Sequence, residues 1–248
     1  ITSKSGSDNG IVIDPSNYLD GTSITAFRGG VLYVGIGSDS ATDQEPFFYD
    51  GSADAPVQLA DISTGTFGSM GGQWNAFTVV GDKAFFKAKA TDETDYFIYV
   101  TDGTADGTQR VADLSTPFGG IVGVVDGKVL INANSEDFGL GEELFATSDG
   151  GEVQLVKDFT DPGDSSISGN PGRNGVFYLN VYDGNASSYW VTDGSSAGTS
   201  EIDFTGFGSV ELHKSAVCGS KFFFAAEGPS GPDNSLRQEL YSLDASQN

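Results

Sequence analysis

The chain has 248 residues, and its 12 Lys and Arg stand against 35 Asp and Glu, which gives a formal net charge of −23. This balance excludes the basic surface that nucleic-acid binding requires and disfavours binding to an anionic membrane. The apolar runs are far shorter than the ~20 residues needed to span a bilayer, so we expect no membrane insertion. A hydrophobic content of 38% allows a sizeable core, in one large β domain or two small ones.

The residue counts favour many short strands joined by tight turns, since 35 Gly accompany 18 Phe and 9 Tyr. The single cysteine, Cys218, excludes an intrachain disulfide, and the single histidine, His213, excludes a histidine-rich metal site. A Cys-poor acidic chain is typical of a secreted or cell-surface protein, although cytosolic proteins of halophiles are acidic too. Because the chain begins at Ile1, we expect a processed or excised piece of a longer protein.

In chain order, a short strand at residues 10–14 precedes five repeats, which begin near residues 18, 67, 118, 167 and 207. Each repeat shows up to four short strands, called A to D, with a turn after strand C. That turn is marked by an aspartate in every repeat, and these aspartates are spaced by 44 to 52 residues: Asp50, Asp102, Asp149, Asp193 and Asp244. Repeats of this length with four strands predict the blades of a β-propeller.

The ends of the chain predict how the ring closes. The fifth repeat stops after its C strand, while residues 10–14 resemble a D strand, and Asp14 precedes Asp61 by one period, 61 − 14 = 47 residues. We therefore predict an all-β, single-domain, five-bladed β-propeller with antiparallel four-stranded blades, in which residues 10–14 complete the fifth blade. The alternative is an open array of β-repeats cut from a longer chain.

The turns between strands C and D carry the most specific motif. Residues 102–108 read D-G-T-A-D-G-T, and residues 193–199 read D-G-S-S-A-G-T. With its flanking strand, this resembles the bacterial repeat E-L-W-x-T-D-G-T-x-x-G-T of large secreted and surface proteins. The resemblance is good in repeats two and four and weaker in the others, and it implies a secreted or surface location. The predicted five blades are similar in architecture alone to five-bladed lectins.

The D–A and B–C loops lie on one face of a propeller and are the irregular ones here, so we predict that the functional face is there. Three D–A segments place a phenylalanine before glycine at equivalent positions: Phe67, Phe118 and Phe207. Together with Trp74 and Asn75, these residues are our candidate ligand-binding set. The alternative is that the phenylalanines only cover the top of the core. Trp190, on a C strand, is expected to pack between blades.

Acidic residues cluster in the B–C loops: Asp39, Asp43 and Glu45; Asp92, Glu93 and Asp95; Glu136, Asp137, Glu142 and Glu143. We interpret these clusters as a solvated acidic surface. Calcium, which takes six to eight oxygen ligands, is the alternative, although no known calcium-loop spacing is present. No other cofactor is expected.

Catalytic patterns are weak. Glu211 is the one carboxylate in the predicted inner strands, and His213 has no G-x-S-x-G motif to accompany it. We therefore expect a non-enzyme without catalytic residues. The leading hypothesis is a lectin-like module that binds a glycan or another surface protein. The alternatives are a structural or adhesive module that makes protein–protein or calcium-bridged contacts and, more weakly, a hydrolase. The oligomeric state is left open.

Overall fold

A computed structural model describes residues 24–37, 43–52, 56–65, 68–70, 76–161, 163–172, 175–207, 210–218, 221–228 and 238–244. Over these ranges the chain forms strands and turns, and the all-β prediction is confirmed. Within the same ranges there is no helix of the length and hydrophobicity that crossing a bilayer requires.

The chain divides into two compact units, Ile1–Arg110 and Val111–Asn248. The strands of the first unit are β1 (Thr25–Phe27), β2 (Gly30–Ile36), β3 (Gln44–Tyr49), β4 (Val57–Gln58), β5 (Phe77–Val80), β6 (Lys83–Ala88) and β7 (Phe97–Thr101). Strand β8 (Gln109–Val125) runs through the boundary. The strands of the second unit are β9 (Lys128–Ser135), β10 (Leu140–Thr147), β11 (Gln154–Lys157), β12 (Ser166–Pro171), β13 (Phe177–Tyr182), β14 (Ser187–Thr192), β15 (Ser200–Glu201), β16 (Val210–Cys218), β17 (Lys221–Glu227) and β18 (Gln238–Asp244).

The strands pair with their neighbours in sequence, and every pairing that is described is antiparallel. The orders β1-β2-β3-β4 and β12-β13-β14-β15 each form the four-stranded sheet predicted for one blade. Strands β5 to β11 form one seven-stranded sheet, so the second and third predicted blades are not separate four-stranded sheets. A further sheet, β16-β17-β18, has three strands within the described residues. The predicted strand at residues 10–14 lies outside them.

Strand β8 differs from the sequence prediction, which separated a D strand at residues 110–113 from an A strand at residues 121–125. The structure has one strand of 17 residues instead. Its register against β9 shifts between Ser115 and Gly120 and again between Ile121 and Gly123. Such bulges add residues to one strand without ending it, so the segment stays extended where a loop was expected.

The hydrophobic cores lie between neighbouring sheets of each unit. In the first unit, Leu32 and Leu59 pack with Phe77 and Phe86. In the second, Leu130 and Leu144 pack with Phe177 and Leu179, and Trp190 packs against this cluster as predicted. A third cluster joins Tyr178 to Phe222 and Phe224. The β12–β15 sheet thus buries both faces, one in the cluster with Leu130 and Leu144 and the other in the cluster with Phe222 and Phe224, as a propeller blade does.

The turns after strand C are built by the predicted motif. The Oδ1 atom of Asp193 accepts hydrogen bonds from the amide (2.8 Å) and hydroxyl (2.6 Å) of Ser195, and these bonds hold the pKa of Asp193 below its ordinary range. The hydroxyls of Thr192 and Thr199 lie 2.7 Å apart across the turn. The corresponding turn after β7 has the same bonds, with Asp102, Thr104 and the Thr101–Thr108 pair. The Asp-Gly pairs of these two turns therefore have a structural role.

Gly51 and Gly194 occupy the same position of this turn. Comparing substitutions at the two positions separates the effect of side-chain packing from that of backbone strain. Their φ angles are +80° and +79°, so alanine at either position should cost about 1 kcal/mol of backbone strain. A Cβ at Gly51 would meet nothing within 4 Å, whereas one at Gly194 would lie 3.0 Å from Val125 Cγ1. We expect Gly194→Ala to lower the free energy of unfolding in urea by about 1 kcal/mol more than Gly51→Ala. Equal losses would contradict this packing argument.

Candidate functional site

The candidate ligand-binding residues fall into three groups. Phe67, Trp74 and Asn75 lie outside the described residues. Phe118, on β8, is 87% exposed. Phe207, which follows β15, is half-buried.

Phe118 is displayed on a firmly held backbone. The buried carboxylate of Glu142 accepts hydrogen bonds from the amides of Phe118, at 2.9 Å, and of Gly119, at 2.5 Å. A Cβ at Gly119 would lie 2.3 Å from the backbone oxygen of Asn132. The side chain of Phe118 is thus exposed because the bulge of β8 is fixed against β9 and β10.

Phe207 has a different environment. Its ring lies edge-on to Tyr241, with centroids 4.8 Å apart, and to Phe204, at 5.8 Å. It also packs against the cluster that contains Phe224. The two phenylalanines that align in the sequence therefore do different things, since Phe118 faces water and Phe207 closes the edge of a core.

The acidic B–C loop residues correct the interpretation of a solvated acidic surface. Asp43, Glu45 and Glu143 have no exposed surface, and Glu142 is 2% exposed. Glu136 and Asp137, in contrast, are exposed as expected. A buried carboxylate needs hydrogen-bond donors to compensate for lost hydration, and no sequence motif indicates where those donors are.

Glu45 obtains its donors from the loop that follows its own blade. Its carboxylate accepts hydrogen bonds from the amides of Ile62 and Ser63, both at 3.1 Å, and of Ser69, at 3.2 Å. The hydroxyl of Ser69 adds a fourth bond of 2.7 Å. Burial nevertheless raises the pKa of Glu45, against the lowering effect of these bonds.

Glu143 repeats this arrangement two blades later. It accepts hydrogen bonds from the amide of Phe159, at 2.7 Å, and the hydroxyl of Ser165, at 3.2 Å. Burial raises the pKa of Glu143 to about 7, despite the opposing hydrogen bond from Phe159. The strand registers show that the two glutamates are equivalent, since Phe47 pairs with Gln58 and Phe145 with Leu155, each aromatic residue being two positions after its glutamate. We call this arrangement the loop anchor.

The loop anchor explains the one group of three possible metal-ligating side chains found among the described residues. Carboxylate oxygens of Asp43, Glu45 and Asp61 lie within 4.8 Å of one another. Both oxygens of Glu45 already accept hydrogen bonds from the following loop. The cluster therefore offers fewer available oxygens than the six to eight that Ca²⁺ takes.

The fourth blade lacks the loop anchor. Trp190 pairs with Glu201 in the register that Phe47 and Phe145 have, so Ser188 stands where Glu45 and Glu143 stand. The amide of Thr205, equivalent to those of Ile62 and Phe159, is bound instead by Asp203, at 2.7 Å. A cavity of about 630 Å³ lies at this place, lined by Ser188, Asp203 and Phe207 among others. The cavity was not predicted, although a serine at the position of Glu45 and Glu143 distinguishes this repeat in the sequence.

Within the described residues, no catalytic group forms around Glu211 or His213, the two residues considered for a hydrolase. Glu211 forms an ion pair with Lys214, which is three residues further along β16. The side chain of His213 lies outside what the structure describes.

Comparison with known proteins gives a structural result only. No protein-family model matches the chain, and no curated protein matches it either. One similar solved structure comes from a study of two prolyl endopeptidases, with a TM-score of 0.57 and 13% identity over 90% of this chain and 34% of that one. Others are a puromycin hydrolase (TM-score 0.48, 16% identity, 91% and 38%) and the β-propeller domain of the Trilobed protease from Pyrococcus furiosus (TM-score 0.46, 12% identity, 89% and 64%). The chain thus spans about a third of the length of the first two.

The antiparallel sheets agree with the β-propeller prediction, and the similarity to the prolyl endopeptidases corrects the functional prediction. The expectation of a lectin-like, glycan-binding module is wrong, because the similar structure that matches 90% of this chain with a TM-score of 0.57 comes from prolyl endopeptidases. Aromatic residues on the predicted loops suggested sugar stacking, but stacking is one use of an exposed ring among several. The ring of Phe207, for example, packs against another ring of the protein.

Glu143 should make stability depend on pH. Its pKa is raised from an ordinary 4.5 to about 7, so its contribution is complete below pH 4.5 and is lost as the pH rises through 7. The loss should be about 3 kcal/mol. We expect Glu143→Gln to flatten the stability profile over this range, measured by urea unfolding at several pH values. Glu136→Gln, at an exposed position, is the control and should leave the profile unchanged. A profile that Glu143→Gln does not alter would contradict the assigned pKa.

Proposed function

We propose that this chain is a non-catalytic β-propeller domain of a longer protein that also contains a hydrolase domain. The support comes from the similarity to prolyl endopeptidases, which extends over 90% of this chain but only 34% of theirs. A propeller domain that accompanies a catalytic domain in one polypeptide would match such an enzyme over about this share of its length.

The loop anchors support a scaffold role. Active-site carboxylates with raised pKa values keep their oxygens free for a substrate. Glu45 and Glu143, which have raised pKa values, instead use theirs on loop amides of their own blades. Their burial maintains the shape of the loops, so we assign them to architecture and not to catalysis.

The partner in this proposal is the catalytic domain of the same polypeptide. The study of the similar prolyl endopeptidases attributes to inter-domain dynamics a role in catalysis and specificity. By analogy, we propose that this chain influences which substrates its own parent protein accepts. The secreted or surface location that the repeat motif and acidic composition favour is part of the same proposal.

The parent protein provides the test. We expect the isolated chain to fold, with a β-rich circular dichroism spectrum, and to hydrolyse a panel of peptide and aminoacyl amide substrates no faster than buffer. The full-length parent should hydrolyse at least one of them. Deleting residues 1–248 from the parent should change the ratio of its kcat/KM for short substrates to its kcat/KM for long ones. Hydrolysis by the isolated chain, or a parent without a hydrolase domain, would contradict the proposal.

We also propose that five blades close into a ring through residues 10–14. The β16-β17-β18 sheet has three strands in the described residues, whereas the β1–β4 and β12–β15 sheets have four. Glu239, on β18, stands at the motif position of Glu45 and Glu143 but is exposed. A fourth strand and its following loop would supply the missing edge and the donors for Glu239.

Proline substitutions test this closure. Alternate amides of a strand face its partner, so either Val12→Pro or Ile13→Pro must remove a hydrogen bond to β18. We expect one of the two to lower the free energy of unfolding by about 2–3 kcal/mol. Ser7→Pro, outside the predicted strand, is the control and should change it by less than about 0.5 kcal/mol. Small effects of all three would rule out the closing strand.

A further inference from the structure

The cavity of the fourth blade occupies the space that the loop anchor fills elsewhere. It lies between the beginning of β14 and the segment that follows β15, and its volume is about 630 Å³. In the first and third blades a buried glutamate crosses this space to reach the amides of the loop. Ser188 is too short to do so, and its Oγ accepts a hydrogen bond from Trp190 Nε1 at 2.9 Å. The cavity is therefore open because residue 188 is a serine and not a glutamate.

Three half-buried aromatic rings form the floor of this cavity. Tyr189 and Phe204 lie edge to face with centroids 5.2 Å apart, and Phe204 and Phe207 do so at 5.8 Å. The hydroxyl of Tyr189 donates a hydrogen bond of 2.9 Å to the backbone oxygen of Val210. These contacts fix the rings in place, so the floor is preformed.

The rim of the cavity is acidic. Of the described residues that line it, Glu201 and Asp203 are acidic and none is Lys or Arg. Hydrogen bonds from the hydroxyl and amide of Thr205 lower the pKa of Asp203, which keeps the group ionised. Both of those bonds reach Oδ1, and hydroxyls of Ser187 and Thr205 stand beside it on the wall.

We propose that this cavity binds the side chain of an arginine in an extended peptide segment. A guanidinium group stacks on aromatic faces and pairs with carboxylates, and this site offers both. The peptide backbone can lie along β15, which is the outermost strand of its sheet in the described residues. This assignment concerns the isolated chain and does not depend on a hydrolase domain in the parent protein.

The binding test uses two peptides that differ in one charge. Acetyl-Ala-Ala-Arg-Ala-Ala-amide is titrated into the chain and followed by amide chemical shifts, and the same peptide with citrulline, the neutral analogue of arginine, is the comparison. We expect the citrulline peptide to bind about tenfold more weakly, and the shifts to concentrate at residues 187–189 and 201–207. Equal affinities, or shifts spread over the whole chain, would overturn the proposal.

A matched pair of variants separates the cavity from the general attraction of a chain with charge −23. Asp203→Asn removes the rim charge but keeps an oxygen for the Thr205 amide, so the turn should persist. Asp183→Asn makes the same change at an exposed aspartate that caps a turn outside the cavity, through bonds of 2.8 Å to the amides of Asn185 and Ala186. We expect about fivefold weaker arginine-peptide binding for Asp203→Asn and no change for Asp183→Asn. Equal losses in both variants would overturn the assignment to the cavity.

Filling the cavity gives an independent check without a change of charge. Ser188→Gln should extend an amide into the space that glutamate occupies in the other two blades, and so weaken arginine-peptide binding at least about tenfold. Unfolding in urea would verify that the variant is folded. Unchanged affinity in a folded Ser188→Gln protein would show that the peptide binds elsewhere.

Discussion

A buried carboxylate that holds the amides of a neighbouring loop is the interaction on which the local architecture depends. Glu45 and Glu143 lie on C strands and are buried, and their carboxylates bind the backbone where the chain leaves the D strand. The loop is thereby fixed to the sheet from which it departs, and the backbone amides are satisfied without water. Because removing one partner would leave a buried charge or unpaired amides, this arrangement tolerates little change in the residues that form it.

The same position explains why the blades are not equivalent in chemistry although they repeat in sequence. In the second blade Phe97 stands there, and the guanidinium of Arg110 covers its ring at 3.1 Å. In the fourth blade Ser188 stands there, Asp203 takes over the amide of Thr205, and a cavity opens. The equivalent position thus holds a glutamate carboxylate in two blades, an aromatic ring in another, and a short serine beside a cavity in the fourth. The repeat supplies a common scaffold, and individual substitutions within it create local differences.

Much of the fold follows from the sequence, because turn chemistry and strand patterning are local. The D-G-[TS] turns at Asp102 and Asp193 appear as predicted, and so do strands β7 and β14, which precede them. The burial of Glu45 and Glu143 could not be predicted in this way, since their donors are 16 to 24 residues further along the chain. The continuity of β8 depends on bulges against β9, and the different roles of Phe118 and Phe207 depend on their neighbours. Each of these features is decided by tertiary contacts that periodicity does not encode.

The loop anchors divide the acidic residues of this protein into two populations that respond differently to dissolved salt. Exposed carboxylates such as Glu136 and Asp137 repel one another through water, and ions screen that repulsion over about 10 Å at 0.1 M. The carboxylates of Glu45 and Glu143 are out of reach of those ions, because neither has exposed surface. Raising the ionic strength therefore relieves the repulsion at the surface while leaving the internal attachments intact. The folded state of this chain should therefore gain stability, and not lose it, as the salt concentration rises.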